Sequence, residues 1–532
     1  MIMVVPLLPQ LRRAPVVPPA PDHVLLSGID GQIKGFALAC VPKLTYSKDE
    51  LRSRNAAAPK RPYVGGVAAR MDDLTKAIVD FARGFRSDSL SPQLVETIVD
   101  HTVDALGCAI ASRHEVSARV ARELADEGAV VGKGASVIGL SRLTTPERAA
   151  MANAIAMRCL DYNDTFNGLK TGGHPSDMMS GVLAAAEMAK LPGRALIDGI
   201  FIAYEVFGTL ADYIPLRDNA TDQGTILGTG VAAAISSICR FDEKQAGNAI
   251  SLTITTTMPL RSARSGELSM WKGGSTGHSV GNAVLMAALA LRGMEGPPAA
   301  FRGVDALLTK IPVPVDLSGL GKAPPGETVI ERTGIKYSPV EWGAQASVEM
   351  FLELGKRVKL DDIESIVIYG NEFLVKEIGG GRSDAKEKWD PQTRETADHS
   401  LPYLVARALV DGKMTLQSFE MDKVLDPAIR PLMQKIKVQI LPDVEKYGPT
   451  RQPVEVVVTF KNGQKIEETC EYALGHAMRP ATRAHLDSKF MGLVEPVTGR
   501  RAAEKLLAQI RGLPTMADVS ELTASLRAIS KE

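Results

Sequence analysis

Between Cys159 and Ser176 the chain reads Cys159-Leu-Asp-Tyr-Asn-Asp-Thr-Phe-Asn-Gly-Leu-Lys-Thr-Gly-Gly-His-Pro-Ser176, which places Asp161, Asp164, Thr165, Lys170 and His174 within fourteen residues. Carboxylates take or relay protons, and an imidazole titrates near neutral pH. Gly172-Gly173 frees the backbone to bring His174 close to a ligand. His174-Pro175-Ser176 opens the next helix, whose free N–H groups favour an anion. The competing interpretation is a polar interhelical loop whose acids cap helix ends.

Three further polar islands stand in apolar surroundings: Glu267–His278 with Trp271-Lys272, Gly334–Pro339 with Lys336, and Arg394–Tyr403 with Asp398-His399. Each taken alone is a solvated turn. Other motifs are weak. Gly273-Gly-Ser-Thr-Gly277 lacks the spacing of a phosphate loop, the cluster Gly224–Gly230 has no strand before it, and no GxSxG elbow occurs. Five Cys without a CxxC pair argue for a reducing, cytoplasmic setting rather than a disulfide scaffold. The eight His show no HxxxH or HExxH spacing, so no metal site is legible and no cofactor is expected.

These residues need elements to position them. A chain of 532 residues exceeds one ordinary core, so at least two domains are expected. Residues 1–70 stand apart, with 9 of the 32 Pro and ten Lys+Arg against four Asp+Glu in a chain of zero net charge. Pro6 breaks their only apolar run, short of the about 20 residues a membrane span needs. A flexible, dispensable extension is expected there. Residues 71–334 read as a helical domain. Ser91-Pro92 and Thr145-Pro146 mark helix starts, and Val182–Ala189, Ala195–Tyr213, Gly228–Cys239, Glu243–Thr256 and Ser279–Arg292 carry helical periodicity. Over 335–474 the period shortens. Strands are expected at Ile363–Tyr369, Ile436–Ile440, Val454–Phe460 and Ile466–Cys470, with Asn462-Gly463 turning the last hairpin. This predicts a smaller α+β domain, and 475–532 turns helical again. The negative body without a basic stripe excludes nucleic acid as a partner.

The order of the islands resembles the MmgE/PrpD family. The matching residues are Leu160-Asp161-Tyr-Asn-Asp164-Thr165, His174-Pro175-Ser176, Ala203-Tyr-Glu-Val206, Trp271-Lys272-Gly-Gly, Gly281-Asn-Ala283, Ile335-Lys336-Tyr-Ser-Pro339, Asp398-His399-Ser400-Leu-Pro-Tyr403 and Gly475-His476. The resemblance runs from about Met71 to Phe490. It implies a mainly α protein, with an all-helical domain, an α+β lid and a helical return, forming a homodimer that works without metal. It also implies a site of Asp161, Thr165, His174, Lys272, Lys336 and Tyr403, with His399 and Gln223 completing the substrate contacts. Family members often carry a second histidine near Arg217–Gln223. Here no His lies between His174 and His278, and Asp222-Gln223 stand in its place.

Such a set suits a small polycarboxylate. Removing a proton beside a carboxylate builds negative charge that Lys272 and Lys336 can stabilise. His174 is expected to move the proton, with Asp161 beside it raising its pKa toward the working pH. Thr165 and Tyr403 are expected to hydrogen-bond a departing hydroxyl or a substrate carboxylate. The resemblance implies a dehydratase of the 2-methylcitrate type. Decarboxylation of the cis-aconitate type, epimerisation of the iminodisuccinate type and a catalytically silent acid-binding dimer are the alternatives.

Overall fold

Ser91 accepts a hydrogen bond from the backbone N–H of Leu94 (3.1 Å), and Pro92 presets the first turn of the helix that follows. The computed structural model describes residues 71–529, save 266, 383 and 448–450. The expectation for residues 1–70 lies outside these. The body begins with α1 (Asp73–Gly84), α2 (Pro92–Ala111), α3 (Val116–Glu127) and α4 (Pro146–Arg158). Inside the loop after α4, β1 (Phe166–Asn167) and β2 (Gly172–Gly173) pair antiparallel, Phe166 opposite Gly173. Then come α5 (Met179–Met188), α6 (Gly193–Tyr213), α7 (Gly224–Ile238), α8 (Glu243–Thr256) and α9 (Trp271–Leu291). Among the described residues no helix is long and apolar enough to cross a membrane.

The helix expected at Ser279 begins two turns earlier, at Trp271. Its glycines suggest a loop when read locally, yet Gly273, Gly277 and Gly281 recur at the spacing of one helix face. That face lies against α4. A Cβ at Gly277 would sit 2.5 Å from Cγ1 of Ile155, and one at Gly281 would sit 2.8 Å from the Glu147 carbonyl oxygen. The glycines therefore serve close helix packing, which sets Lys272, in the first turn of α9, beside the loop that follows α4.

The lid opens with α10 (Gln345–Leu354) and β3 (Ile363–Gly370), passes through α11 (Leu401–Asp411) and β4 (Ile436–Ile440), and ends in β5 (Val454–Phe460) and β6 (Lys465–Cys470). Strand order is β4-β3-β5-β6, with β3 and β4 parallel and the other neighbours antiparallel. Alternation turns Ile366, Ile368, Val454, Val456 and Val458 inward, where they join Phe351, Leu354, Leu404 and Val405 in the lid's own core. The fold is thus a mainly helical body, with two small sheets of two-residue strands, and a smaller α+β lid.

The chain returns to the body through α12 (Arg483–Thr498), α13 (Arg500–Arg511) and α14 (Ser520–Arg527). Phe490 on α12 packs against α2 at Gly107, where a Cβ would approach its ring to 3.0 Å. Lys489 beside it is buried. Its ammonium donates to the carbonyls of Tyr162 (2.8 Å) and Lys336 (2.7 Å) and pairs with Asp104 (2.5 Å), while lying 3.7 Å from the centre of the Tyr162 ring. Removing one partner of a buried pair leaves an uncompensated charge. Lys489→Met is expected to destabilise the protein by about 3–5 kcal/mol, read as a lower denaturant midpoint. Lys489→Met combined with Asp104→Leu should recover part of the loss.

Candidate active site

One cavity of about 360 Å³ lies between body and lid. Arg158, Asp161, Thr165, His174 and Gln223 line it from the body, and Lys336, Glu341 and His399 from the lid side. Arg158 closes the last turn of α4, and Asp161 follows in a left-handed backbone conformation, φ +50°. That turn folds the Asp161 carboxylate back onto Arg158, with which it is ion-paired. Oδ1 of Asp161 also accepts from Lys336 Nζ (2.7 Å), and Lys336 donates as well to the Asp161 carbonyl (2.8 Å). Lys272 Nζ and His399 Nδ1 lie 3.9 and 3.6 Å from Oδ2. Burial alone would push this carboxyl up, but Arg158, Lys336, Lys272 and His399 outweigh it and hold it well below the usual carboxylate range.

His174 does not pair with Asp161, whose cationic partners are Arg158, Lys336 and, farther off, Lys272. Its Nδ1 lies 2.7 Å from the Asp164 carbonyl oxygen and 3.3 Å from Thr165 Oγ1. A carbonyl only accepts, so Nδ1 carries the proton and Nε2 keeps its lone pair. Burial, reinforced by Arg158 and Lys336, pushes the imidazole's pKa well below its usual value, against the pull of Asp161. The expected upward shift is thus reversed, because the carboxylate is already neutralised and its cations repel an imidazolium. Gln223 fixes the backbone beneath this ring, its Oε1 accepting from the His174 N–H (2.6 Å). A Cβ at residue 173 would come within 2.1 Å of that oxygen and 2.5 Å of the Phe207 ring, so a side chain there would push Gln223 off this contact.

The N–H groups after His174 do not await an external anion. The Ser176 N–H donates to Asp164 Oδ1 (3.1 Å), while Oδ2 accepts from Tyr204 Oη (2.6 Å) and faces His101 Nδ1 (3.0 Å). Asp164 is therefore the anchor of the loop, and its carbonyl sets the tautomer of His174.

His399 supplies a second imidazole. Its Nδ1 bonds Asp398 Oδ1 (2.5 Å), and burial, aided by Lys272, lowers its pKa to about 4 against Asp398. Lys272 grips both oxygens of Asp398, at 2.6 and 2.7 Å, and sits one layer behind the cavity wall. Tyr403 does not reach the cavity. Ser400 caps α11 by accepting from the Tyr403 N–H (3.2 Å), and the helix carries the phenol into the lid core. There its Oη donates to the Ser418 carbonyl oxygen (2.5 Å).

Several wall residues escape sequence reasoning. Arg158 had one signal, a lone arginine ending an Ala-rich helix. Glu341 had none. It is buried, its Oε2 accepts from the Gly343 N–H, and burial, aided by Asp161 and opposed by Lys336, raises its pKa to about 7. Arg217, Arg261, Arg264 and Arg382 also line the cavity, from separate turns. Asp161, Asp398 and His399 bring three ligand atoms within 4.8 Å of one another. Their carboxylates are already held by Lys272, Lys336 and Arg158, so a divalent ion there would have to displace cations.

The sequence matches the MmgE/PrpD N-terminal domain over residues 76–311 and the MmgE/PrpD C-terminal domain over residues 338–513. It is 25% identical over 449 residues to a 2-methylcitrate dehydratase of Salmonella typhi, covering 79% of this chain and 89% of that one. With the mitochondrial 2-methylcitrate dehydratase of Yarrowia lipolytica it shares 26% over 437 residues, 77% of this chain and 81% of the relative. With the cis-aconitate decarboxylase of Mus musculus it shares 25% over 404 residues, 72% and 78% of the two. The two matches together cover both domains of the fold: the chain belongs to the MmgE/PrpD family.

Proposed function

We propose that the protein is a metal-independent lyase that dehydrates a small hydroxy-polycarboxylate of the 2-methylcitrate type. The observation that carries this is the pairing, in one cation-lined cavity, of a neutral imidazole with a buried acid whose pKa is about 7. His174 Nε2 takes the proton from the carbon beside a substrate carboxylate. Charge builds on that carboxylate, in the field of Arg158 and Lys336. The C–O bond breaks as the double bond forms, and Glu341 gives its proton to the departing hydroxyl, which leaves as water. The imidazolium and the Glu341 carboxylate then exchange the proton through solvent. Decarboxylation and epimerisation would use the same acid to protonate carbon, and the likeness to proteins named 2-methylcitrate dehydratase is what favours dehydration.

A homodimer is part of this proposal. Val116, Val120 and Leu124 on α3 are about half exposed, as are Trp271 and Leu285 on α9. Both helices pack on α4, and apolar groups at helical spacing on neighbouring helices suit a self-association face. Leu124→Glu with Trp271→Glu should shift the protein to monomer in sedimentation, and an unchanged mass would exclude this face.

His174→Gln should lower kcat by about 10²–10⁴-fold with a smaller change in KM. Tyr403→Phe, remote from the cavity, should stay within a few-fold of wild type. The growth of alkene absorbance with 2-methylcitrate or citrate reads both variants, and a fully active His174→Gln would remove the base from this scheme.

The pH profile tests Glu341. A raised acid must be protonated to act, so kcat/KM should fall as pH rises through about 7. His174 is lowered and stays unprotonated, so no loss is expected on the acid side until well below the usual imidazole range. Glu341→Gln should cut kcat by about 10²-fold or more and erase the alkaline limb. A limb that persists in that variant would assign it to another group.

A further inference from the structure

Glu377 sits in the short turn Leu374–Ile378 of the lid, and its carboxylate meets three guanidiniums. Oε1 lies 2.6 Å from Arg382 and 3.5 Å from Arg217, and Oε2 lies 3.1 Å from Arg261. Arg217 and Arg261 belong to the body, Arg382 to the lid, and all four groups line the same cavity as His174 and Lys336. Arg264 is beside them, paired with Asp222 at 2.8 Å. Two acids thus answer four arginines. Nε of Arg261 and Nη2 of Arg264 are buried without a hydrogen-bond partner, and so is Oε1 of Glu377, so the carboxylate sits among these guanidiniums without using all the donors they present. The ring of Phe373 lies 4.7 Å from the Arg217 guanidinium and holds it in place. Ile378-Gly379-Gly380-Gly381, with Gly380 at φ +77°, connects Glu377 to Arg382.

Several guanidiniums converging on one carboxylate is how proteins bind carboxylate ligands. Here the occupant is the protein's own side chain. We propose that Arg217, Arg261 and Arg382 form a second anion subsite at the far end of the cavity, that Glu377 fills it in the free enzyme, and that a remote carboxylate of the substrate displaces Glu377 on binding. This rests on the polycarboxylate assignment above and sharpens it. Besides the carboxylate next to the reacting carbon, in the field of Arg158 and Lys336, the preferred ligand carries another that reaches the arginines, as a tricarboxylate does. A dicarboxylate as short as succinate leaves Glu377 where it is. Because Glu377 spans from lid to body, its release also frees that edge of the lid for substrate exchange.

The test is calorimetric binding of two unreactive acids to the full chain, propane-1,2,3-tricarboxylate and succinate. Wild type should bind the tricarboxylate more tightly. Glu377→Gln keeps the shape of the side chain but removes the competing charge. It should tighten the tricarboxylate by about tenfold, the scale of one charge-assisted hydrogen bond, and leave succinate unchanged. Arg261→Met should weaken the tricarboxylate by a similar factor and spare succinate. Should Arg261→Met fail to fold, the Glu377→Gln comparison still decides. Weaker tricarboxylate binding by Glu377→Gln would mean that Glu377 merely orders the arginines, which overturns the proposal. Equal binding of both acids by wild type overturns the subsite alone, whereas binding of neither overturns the polycarboxylate assignment with it.

Discussion

A single buried carboxylate, that of Asp161, governs the arrangement of the cavity. Taking such a charge out of water costs several kcal/mol unless partners compensate it. Arg158 comes from the helix just before it, Lys336 from the crossing to the lid, Lys272 from the start of α9, and His399 from the segment leading into α11. Asp161 is therefore the point at which the helix just before it and three distant parts of the chain must agree. The left-handed turn at Asp161 makes this possible by aiming its carboxylate back at Arg158 while its carbonyl accepts from Lys336.

The same charge balance sets the chemistry. Burial, and after it the cations gathered to hold Asp161 and Asp398, disfavour any further positive charge, so both imidazoles of the cavity are kept neutral. A neutral imidazole with its Nδ1 proton committed to a carbonyl or carboxylate has an available lone pair at Nε2. The wall thus offers a base without a cation of its own, within a field suited to anions. Glu341 is tuned in the opposite direction by burial, which keeps a proton available near neutral pH. One base and one acid of separated roles arise from environment rather than from residue type.

How far the sequence reveals this depends on what each residue needs. The loop holding Asp161, Thr165 and His174 is legible because its acids, glycines and histidine cluster locally, and Lys336, His399 and Gln223 also reach the cavity. Tyr403 is misplaced by sequence because it lies one turn inside a helix whose register faces the lid core, something spacing from His399 does not disclose. The partnership of His174 with Asp161 fails for a tertiary reason, the arrival of Arg158 and Lys336. Glu341 and the four arginines are scattered single residues, so no local pattern announces them. The early start of α9 is hidden because glycines that serve close packing look, one at a time, like a loop.

Lys489 has a consequence for how the protein is made. It lies more than three hundred residues beyond the Tyr162 carbonyl that it braces, on the helix that covers α2. During synthesis the helical body is translated early, yet its core and the loop bearing Asp161 lack this support until α12 has emerged from the ribosome. The nascent body must therefore wait, with apolar surface of α2 uncovered, while the whole lid is produced. Domains usually fold as units in order of synthesis. Here the order is inverted: the lid, continuous in sequence, can close its core first, and the loop bearing Asp161 is completed last.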